Sequence, residues 1–246
     1  LQDPIGDGDH APSDGIFVFT GSPPPVAVGD QIDIAARVAE FRQSDRTRNL
    51  TVTQLSAPTI SVLSGGNVLP APTLIGPGGR AQPTSIIEDD AFTSYDPTTD
   101  GIDFYESLEG MFVQVPTARA IDANTPFGEI WVVPAPADSA PAATGVNSRG
   151  GITIGPGDLN PERIQLQRDS GLNNAALPSV EIGDTGAQGF GGVDYSFGDY
   201  EVKLTSPLPL VERGGVREST TLAPAPDRLT VAAYNVLNLA PFASAS

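Results

Sequence analysis

Cysteine is absent from this 246-residue chain, and histidine occurs once, at His10. Without thiols the protein can form neither a disulfide framework nor a thiolate metal site, so its stability must come from core packing, to which bound cations can add. One imidazole without a partner makes neither a zinc site nor a catalytic triad. No apolar run reaches the roughly 18 residues that a membrane-spanning helix needs, so no membrane span is expected.

Basic residues are also scarce, with 13 Lys and Arg against 30 Asp and Glu, for a formal net charge of -17. The electrostatic field of this net negative charge repels polyanions and attracts cations, so the protein surface by itself is expected to bind nucleic acid poorly. The absence of cysteine together with abundant acidic residues, glycine and proline is typical of bacterial exported proteins. We therefore expect an extracellular or cell-surface location.

Turn-forming residues are plentiful, with 27 Gly and 24 Pro, and this composition favours many short strands over long helices. The clearest period-two pattern is Gln31–Phe41 (QIDIAARVAEF), in which Ile32, Ile34 and Val38 alternate with polar residues. Further strands are predicted at residues 16–20, 50–55, 59–63, 108–115, 129–133, 151–154, 163–167, 184–194 and 200–204, with Phe197-Gly198-Asp199 as a hairpin turn. The fold class is all-β, with one or two OB-fold-like or Greek-key β-barrel modules and long loops.

Two segments rich in proline and small residues divide the chain. Residues 1–134 are predicted to form an OB-fold-like β module with an acidic insertion, and residues 135–148 a linker. Residues 149–212 form either a second β module or the completion of the first. A Pro-rich linker at 213–228 then leads to residues 229–246, which are interpreted as the first strand of a truncated α/β catalytic domain.

Four stretches taken in order carry a resemblance to a known family. They are residues 1–19 (LQDPIGDGDHAPSDGIFVF), 28–41 (VGDQIDIAARVAEF), 109–115 (EGMFVQV) and 192–200 (GVDYSFGDY). Together with residues 229–239 (LTVAAYNVLNL), they resemble the region upstream of the catalytic domain in secreted bacterial nucleases of the endonuclease/exonuclease/phosphatase superfamily. The resemblance implies OB-fold-type accessory modules followed by the opening strand of the catalytic domain.

The same resemblance implies that Asn235 lies beside the catalytic metal, which would be Mg²⁺ or Mn²⁺ in the parent protein. The family's metal-binding Glu and its catalytic His and Asp residues should follow this strand, but the sequence stops at Ser246. Hydrolysis needs a metal, a general base and charge stabilisation in one pocket. We therefore expect this fragment to be non-catalytic and to have a missing C-terminal catalytic domain as its partner.

A glycine-rich segment near the start of the chain, DPIGDGDHAPSDG, contains the candidate metal ligands Asp3, Asp7, Asp9 and Asp14. Carboxylate oxygens on a flexible backbone are the ligands that Ca²⁺ requires. The spacing departs from the EF-hand pattern, and Asp and Gly also supply ordinary turn chemistry. A calcium loop and a solvated turn both remain open.

A second acidic segment is interleaved with aromatic residues, and it is interpreted as an exposed insertion, with a second metal site as the alternative. Its acidic members are Asp89, Asp90, Asp96, Asp100, Asp103, Glu106 and Glu109.

Four arginines surround one predicted hairpin tip, where they could touch phosphates of DNA or RNA: Arg37, Arg42, Arg46 and Arg48. This stretch offers only Phe41 for the stacking that accompanies such cations in OB folds, so a solvated hairpin is favoured.

Two functional hypotheses follow. In the first, the chain is a non-catalytic accessory region of an extracellular metal-dependent nuclease or phosphodiesterase and positions the catalytic domain or the substrate. In the second, it is a calcium-binding structural or adhesive exoprotein module that associates with other copies of itself through strand edges.

Overall fold

The computed structural model describes residues 1–42, 49–134, 143–147, 150–169, 171–186 and 188–214, together with residues 226, 227, 229 and 231. The chain divides into two units, Leu1–Gly215 and Val216–Ser246, and every described strand and helix belongs to the first. The strands are β1 (Phe17–Phe19), β2 (Gln31–Phe41), β3 (Val52–Ser64), β4 (Thr73–Leu74), β5 (Phe112–Val115), β6 (Ala118–Ala120), β7 (Glu129–Pro134), β8 (Ile164–Arg168), β9 (Thr185–Gly186), β10 (Gly189–Ser196), β11 (Asp199–Leu204) and β12 (Leu210–Glu212), and the helix is α1 (Gly101–Glu106). The all-β class is confirmed.

Individual strands agree with the sequence pattern to different degrees. The strand Gln31–Phe41 has the predicted bounds, whereas residues 50–55 and 59–63 belong to one strand, β3, which continues past a left-handed residue, Ala57. Residues 184–194 contain two strands, β9 and β10, instead of one. Residues 151–154 contribute only an isolated bridge between Val146 and Ile152.

The first sheet has three strands in the order β1-β3-β2, with β1 parallel and β2 antiparallel to β3. Strands β2 and β3 are long, and β1 pairs only with residues 54–56 of β3. Most side chains along this ribbon are half-exposed or exposed. The sheet therefore presents a largely accessible surface on which functional side chains can lie.

The second sheet has nine strands in the order β12-β9-β6-β7-β8-β11-β10-β5-β4. Its two ends, β12 and β4, are short edge strands, so the described strands form open sheets and not the closed OB-type barrel that the sequence predicted. Period-two alternation identifies strands and their buried faces, but strand order depends on long-range pairing that alternation does not encode. Strands from both sides of residues 135–148 are neighbours in this sheet, as β7 and β8 illustrate.

The hydrophobic core lies on one face of the nine-stranded sheet and is closed by the segment around α1. Phe104, Tyr105 and Leu108 from this segment are buried against the strand residues Val113, Val115, Ile130, Ile164, Leu166, Val202 and Leu204. The interpretation of residues 89–109 as an exposed insertion is therefore wrong for its second half, where Asp100, Asp103 and Glu109 are also buried. The alternation of acidic and aromatic residues there belongs to a short helix that is buried over most of its circumference, with Ile102 and Glu106 half-buried. In the described part of the chain, no helix is long and apolar enough to cross a membrane.

A close crossing of two backbone segments fixes β1 against this core. A Cβ atom on Gly15 would lie 2.4 Å from the carbonyl carbon of Gly110, and Gly110 itself has φ of 76°. Only glycine permits this approach together with the left-handed backbone. Ser13 Oγ donates a hydrogen bond to the carbonyl oxygen of Glu109 at 2.6 Å, which holds the crossing in place.

Candidate functional site

Three phenylalanine rings lie on one face of the three-stranded sheet. Phe17 and Phe19 are two residues apart in β1, so their side chains point to the same side of the strand. Phe17 is in register with Gln54 of β3, and Phe41 of β2 is in register with Val52, two residues earlier in β3. The three residues are 45%, 53% and 50% exposed, in the order Phe17, Phe19, Phe41.

The β10–β11 hairpin completes a concave site against these rings. Ser196 pairs with Asp199, and the two residues between them, Phe197 and Gly198, have φ of 54° and 106°. This is the two-residue turn expected for a tight hairpin, and it confirms the hairpin predicted from the sequence. The turn holds the Phe197 ring 62% exposed beside the sheet.

The rings and their neighbours enclose a groove of about 300 Å³, which we name the aromatic groove. Its lining consists of Phe17, Phe19, Phe41, Asn49, Leu50, Val52, Gln54, Asp194, Tyr195, Ser196 and Phe197. Aromatic faces with a small number of polar groups are the usual composition of sites that hold an organic ligand. The aromatic groove is therefore the candidate functional site.

Hydrogen bonds and ring contacts join the two walls of the groove to the core. The backbone N–H of Leu50 donates to the Tyr195 hydroxyl at 3.1 Å, and the N–H of Thr53 donates to Glu109 Oε1 at 2.9 Å. The Tyr195 ring packs against that of Tyr200, with 4.9 Å between their centroids. These contacts fix the hairpin and β3 relative to each other, so the groove is held by the core.

A group of carboxylates lies beneath this region. The pKa of Glu109 is raised to about 8, mainly by burial and also by the nearby carboxylates of Glu106, Asp194 and Glu40, while the Thr53 N–H opposes the shift. The Tyr200 hydroxyl donates to Glu106 Oε2 at 2.5 Å, and burial raises the pKa of Glu106. Glu109 is therefore mostly protonated at neutral pH, which limits the repulsion among these side chains.

An ion-pair network lies on β10 and β11. Lys203 Nζ is 2.8 Å from Glu201 Oε1 and 3.5 Å from Asp194 Oδ2, and it donates a hydrogen bond to Gln167 Oε1 at 2.7 Å. Burial raises the pKa of Glu201 to about 7, although Lys203 opposes this shift. Asp194 thus connects the network to the aromatic groove, whose lining it shares.

A second cavity of about 390 Å³ adjoins the aromatic groove, and Leu50 lines both. Its walls include Phe92 and Tyr95, the carboxylates of Asp103 and Glu106, and the side chain of Arg42. The candidate phosphate contact Arg42 therefore shares a cavity with two carboxylates. Negative charge in the same cavity counteracts the attraction for an anion that a run of arginines predicts.

The other arginines of the predicted hairpin tip separate into two groups. Arg37 pairs with Ser56 of β3, which in turn pairs with Phe19 of β1, so Arg37 lies in the same cross-strand row as one of the groove's rings. Arg46 and Arg48 lie outside the described residues, as does Asn235. The structure thus brings one predicted arginine into line with the groove.

The aspartates of the candidate calcium loop largely serve the local backbone. Asp3 Oδ1 accepts from the N–H groups of Ile5 and Gly6, Asp7 Oδ1 accepts from Asp9, and Asp9 Oδ1 accepts from Ala11. Such contacts two or three residues along the chain are Asx turns. Among the residues that the structure describes, no group of three or more His, Asp or Glu side chains is arranged to hold a metal ion. Calcium binding by Asp3, Asp7, Asp9 and Asp14 stays a prediction.

Phe17, Phe19, Asp194 and Phe197 are among the groove residues to which the sequence analysis assigned no role in a site. The signal was present in the alternation FVF at 17–19, which puts two large rings on one face of a strand. It did not reveal that Phe41 and Phe197, 24 and 180 residues beyond Phe17, lie beside them. Three long-range contacts join these positions: the pairing of β1 with β3, the pairing of β2 with β3, and the hydrogen bond between Leu50 and Tyr195 of the β10–β11 hairpin.

Residues 74–231 match a family described as a domain of unknown function (DUF8508), and the chain belongs to this family. The match includes β10 and the hairpin turn, which contribute one wall of the aromatic groove, but not β1, β2 or β3. No curated protein and no solved structure matches the chain significantly. The groove therefore lies partly inside and partly outside the family's matched region.

Proposed function

We propose that the chain is a non-catalytic accessory region of an extracellular, metal-dependent nuclease or phosphodiesterase, and that its aromatic groove holds a single strand of the substrate. The observation that carries this proposal is the set of four accessible phenylalanine rings around one groove, Phe17, Phe19, Phe41 and Phe197. When a flat ligand covers these exposed rings, apolar ring surface is removed from water, which favours binding. The rings therefore favour a ligand with planar faces.

Unpaired nucleobases are such ligands. Stacking of a base on an aromatic side chain contributes about 1–3 kcal/mol and depends little on which base is present. Single strands offer unpaired bases, whereas a duplex keeps them stacked inside. The groove thus suits an extruded or single-stranded segment better than double-stranded nucleic acid.

Arg37 supports the same ligand. It lies in the cross-strand row of Phe19 and Ser56, and its side chain is exposed. A guanidinium beside stacked bases can neutralise one phosphate of the bound strand. The chain as a whole is acidic, with a net charge of -17, so binding must depend mainly on stacking.

The wider setting rests on the resemblance to secreted nucleases. In that setting the segment that contains Asn235 belongs to the catalytic domain, and the Mg²⁺ or Mn²⁺ of that domain is held outside the aromatic groove. The accessory region then has two partners, the catalytic domain and the DNA or RNA strand. Its role is to position that strand before cleavage.

Fluorescence anisotropy with a labelled oligothymidine of about nine nucleotides tests the proposal, since single-strand sites cover about 4–16 nucleotides. Replacement of Phe17 by Ala should weaken binding roughly five- to 150-fold, which corresponds to the loss of one stacking contact. Phe127→Ala is the matched control, because Phe127 is 79% exposed and does not line the groove.

Each outcome decides the question. Strand binding that Phe17→Ala weakens and Phe127→Ala leaves unchanged supports the proposal, provided that the melting temperatures of both variants stay near that of the parent chain. Absence of binding, or equal affinity of the two variants, overturns it. Phe41→Leu serves as a second groove variant, since it keeps apolar volume while it removes the aromatic face.

A further inference from the structure

The charge distribution around the aromatic groove points to a particular base. Asp194 is the one charged side chain among the described residues that line the groove, and 28% of its side-chain surface is exposed. The other polar lining groups, including Asn49, Gln54 and Ser196, can both donate and accept hydrogen bonds. Asp194 therefore imposes the strictest chemical requirement on a bound ligand.

An ionised carboxylate only accepts hydrogen bonds, and it accepts two parallel donors best. Guanine presents two adjacent donors, N1–H and the N2 amino group, on its Watson–Crick edge. Adenine and cytosine present one amino donor beside an acceptor nitrogen, and thymine presents one N–H between two carbonyl oxygens. Acceptor atoms next to a carboxylate are repelled, so three of the four bases meet at least one unfavourable contact.

The lysine beside Asp194 leaves this acceptor role intact. Lys203 is 3.5 Å from Asp194 Oδ2 but only 2.8 Å from Glu201, so its closer ion pair is with Glu201. A carboxylate has about four acceptor positions. The contact with Lys203 uses one of them and leaves acceptor positions for a ligand in the groove.

We infer that the aromatic groove prefers guanine and that Asp194 is the residue that determines this preference, by accepting from the guanine N1–H and N2 amino groups while the phenylalanine rings stack on the base. This inference rests on the proposed function, because it assumes that a single strand enters the groove. It adds base selectivity to a site whose aromatic faces alone are tolerant of sequence.

The test uses oligothymidines of about nine nucleotides that carry one central guanine, adenine or cytosine, so that no guanine quadruplex can form. The guanine oligonucleotide should bind the parent chain roughly tenfold more tightly than oligothymidine, within the range for one bidentate base contact. In Asp194→Asn this ratio should fall close to one. The affinity for oligothymidine should rise, because the groove loses a negative charge that repels the phosphates of the strand.

Asp122→Asn is the control, since it makes the same change of charge at an exposed aspartate that does not line the groove, and it should keep the guanine preference. If the parent chain binds all four oligonucleotides equally and Phe17→Ala still weakens binding, the guanine inference is overturned and the proposed function stands. A guanine preference that persists in Asp194→Asn also overturns the inference. If no oligonucleotide binds, both fail.

Discussion

The buried carboxyl of Glu109 makes a sharp prediction about stability and pH. Only 6% of the residue is exposed, and the pKa of its side chain rises from 4.5 to about 8, mainly because of burial. In the unfolded chain this carboxyl loses its proton near its ordinary pKa, whereas in the folded protein it stays protonated up to about pH 8. Folding stability is therefore lost as pH rises between these two values, and the loss is complete above the folded-state pKa.

The size of the effect follows from the same two values. Linkage converts a pKa that moves from 4.5 to about 8 into at most about 5 kcal/mol of unfolding free energy at high pH. Relaxation of the protein and water penetration around the ionised carboxylate reduce this to about 2 kcal/mol. Replacement by Gln removes the charge but keeps an acceptor for the Thr53 N–H. Glu109→Gln should therefore stabilise the protein at pH 9 and have little effect at pH 5.

Thermal unfolding followed by circular dichroism at both pH values provides the measurement. For a domain of this size, about 2 kcal/mol corresponds to an increase in melting temperature of about 4–8 °C at pH 9. Glu181→Gln is the control, because it makes the same change of charge at an exposed position. If Glu109→Gln gave the same increase at pH 5 as at pH 9, or no more than Glu181→Gln, the account of a neutral buried carboxyl would be wrong.

Two further predictions concern the charged residues singled out from the sequence. Arg37→Ala should reduce the slope of log affinity against log salt concentration for oligothymidine by about 0.7, because one phosphate contact to a single strand contributes that much. Arg168→Ala, at the exposed end of β8, is the control and should leave the slope unchanged. The proposed calcium site predicts that Ca²⁺ at about ten times a millimolar dissociation constant raises the unfolding free energy by roughly 1.4 kcal/mol, and that a double replacement of Asp7 and Asp9 by Asn removes this response. Because an Asn side-chain oxygen can accept the same backbone N–H groups, that variant should keep its calcium-free melting temperature; a calcium response equal in both proteins would reject the site.

The strands were predictable wherever alternation was strong and local. Gln31–Phe41 was located to the residue, since its apolar side chains alternate without interruption over the first half of the strand. The hairpin was also located, because Gly198 between two strand-like runs is a local turn signal, although Phe197 has a left-handed backbone that bulky residues rarely adopt. These features need no knowledge of distant partners.

The sheet order and the groove did require knowledge of distant partners. The parallel pairing of β1 with β3, and of β8 with β11, joins segments separated by about 35 residues in both cases. The helix α1 was hidden for another reason, since its six residues are too few for a helical period and its buried Asp103 resembles a surface residue in composition. The aromatic groove depends on such long-range pairing, so the sequence revealed Phe41 but not its neighbours.

The order of strands in the nine-stranded sheet also has a consequence for how the chain is made. Strand β12, near residue 210, lies at one end of the sheet, and β4, near residue 73, lies at the other, with later and earlier segments interleaved between them. A ribosome releases residues from the N-terminus onward. Strands β5, β6 and β7 each have one partner among the early strands, but their second partners are synthesised more than 30 residues later. Non-local pairing of this kind is slow and leaves strand edges open in the meantime. A truncated chain that stops before β8 should therefore aggregate instead of folding into a smaller version of the sheet.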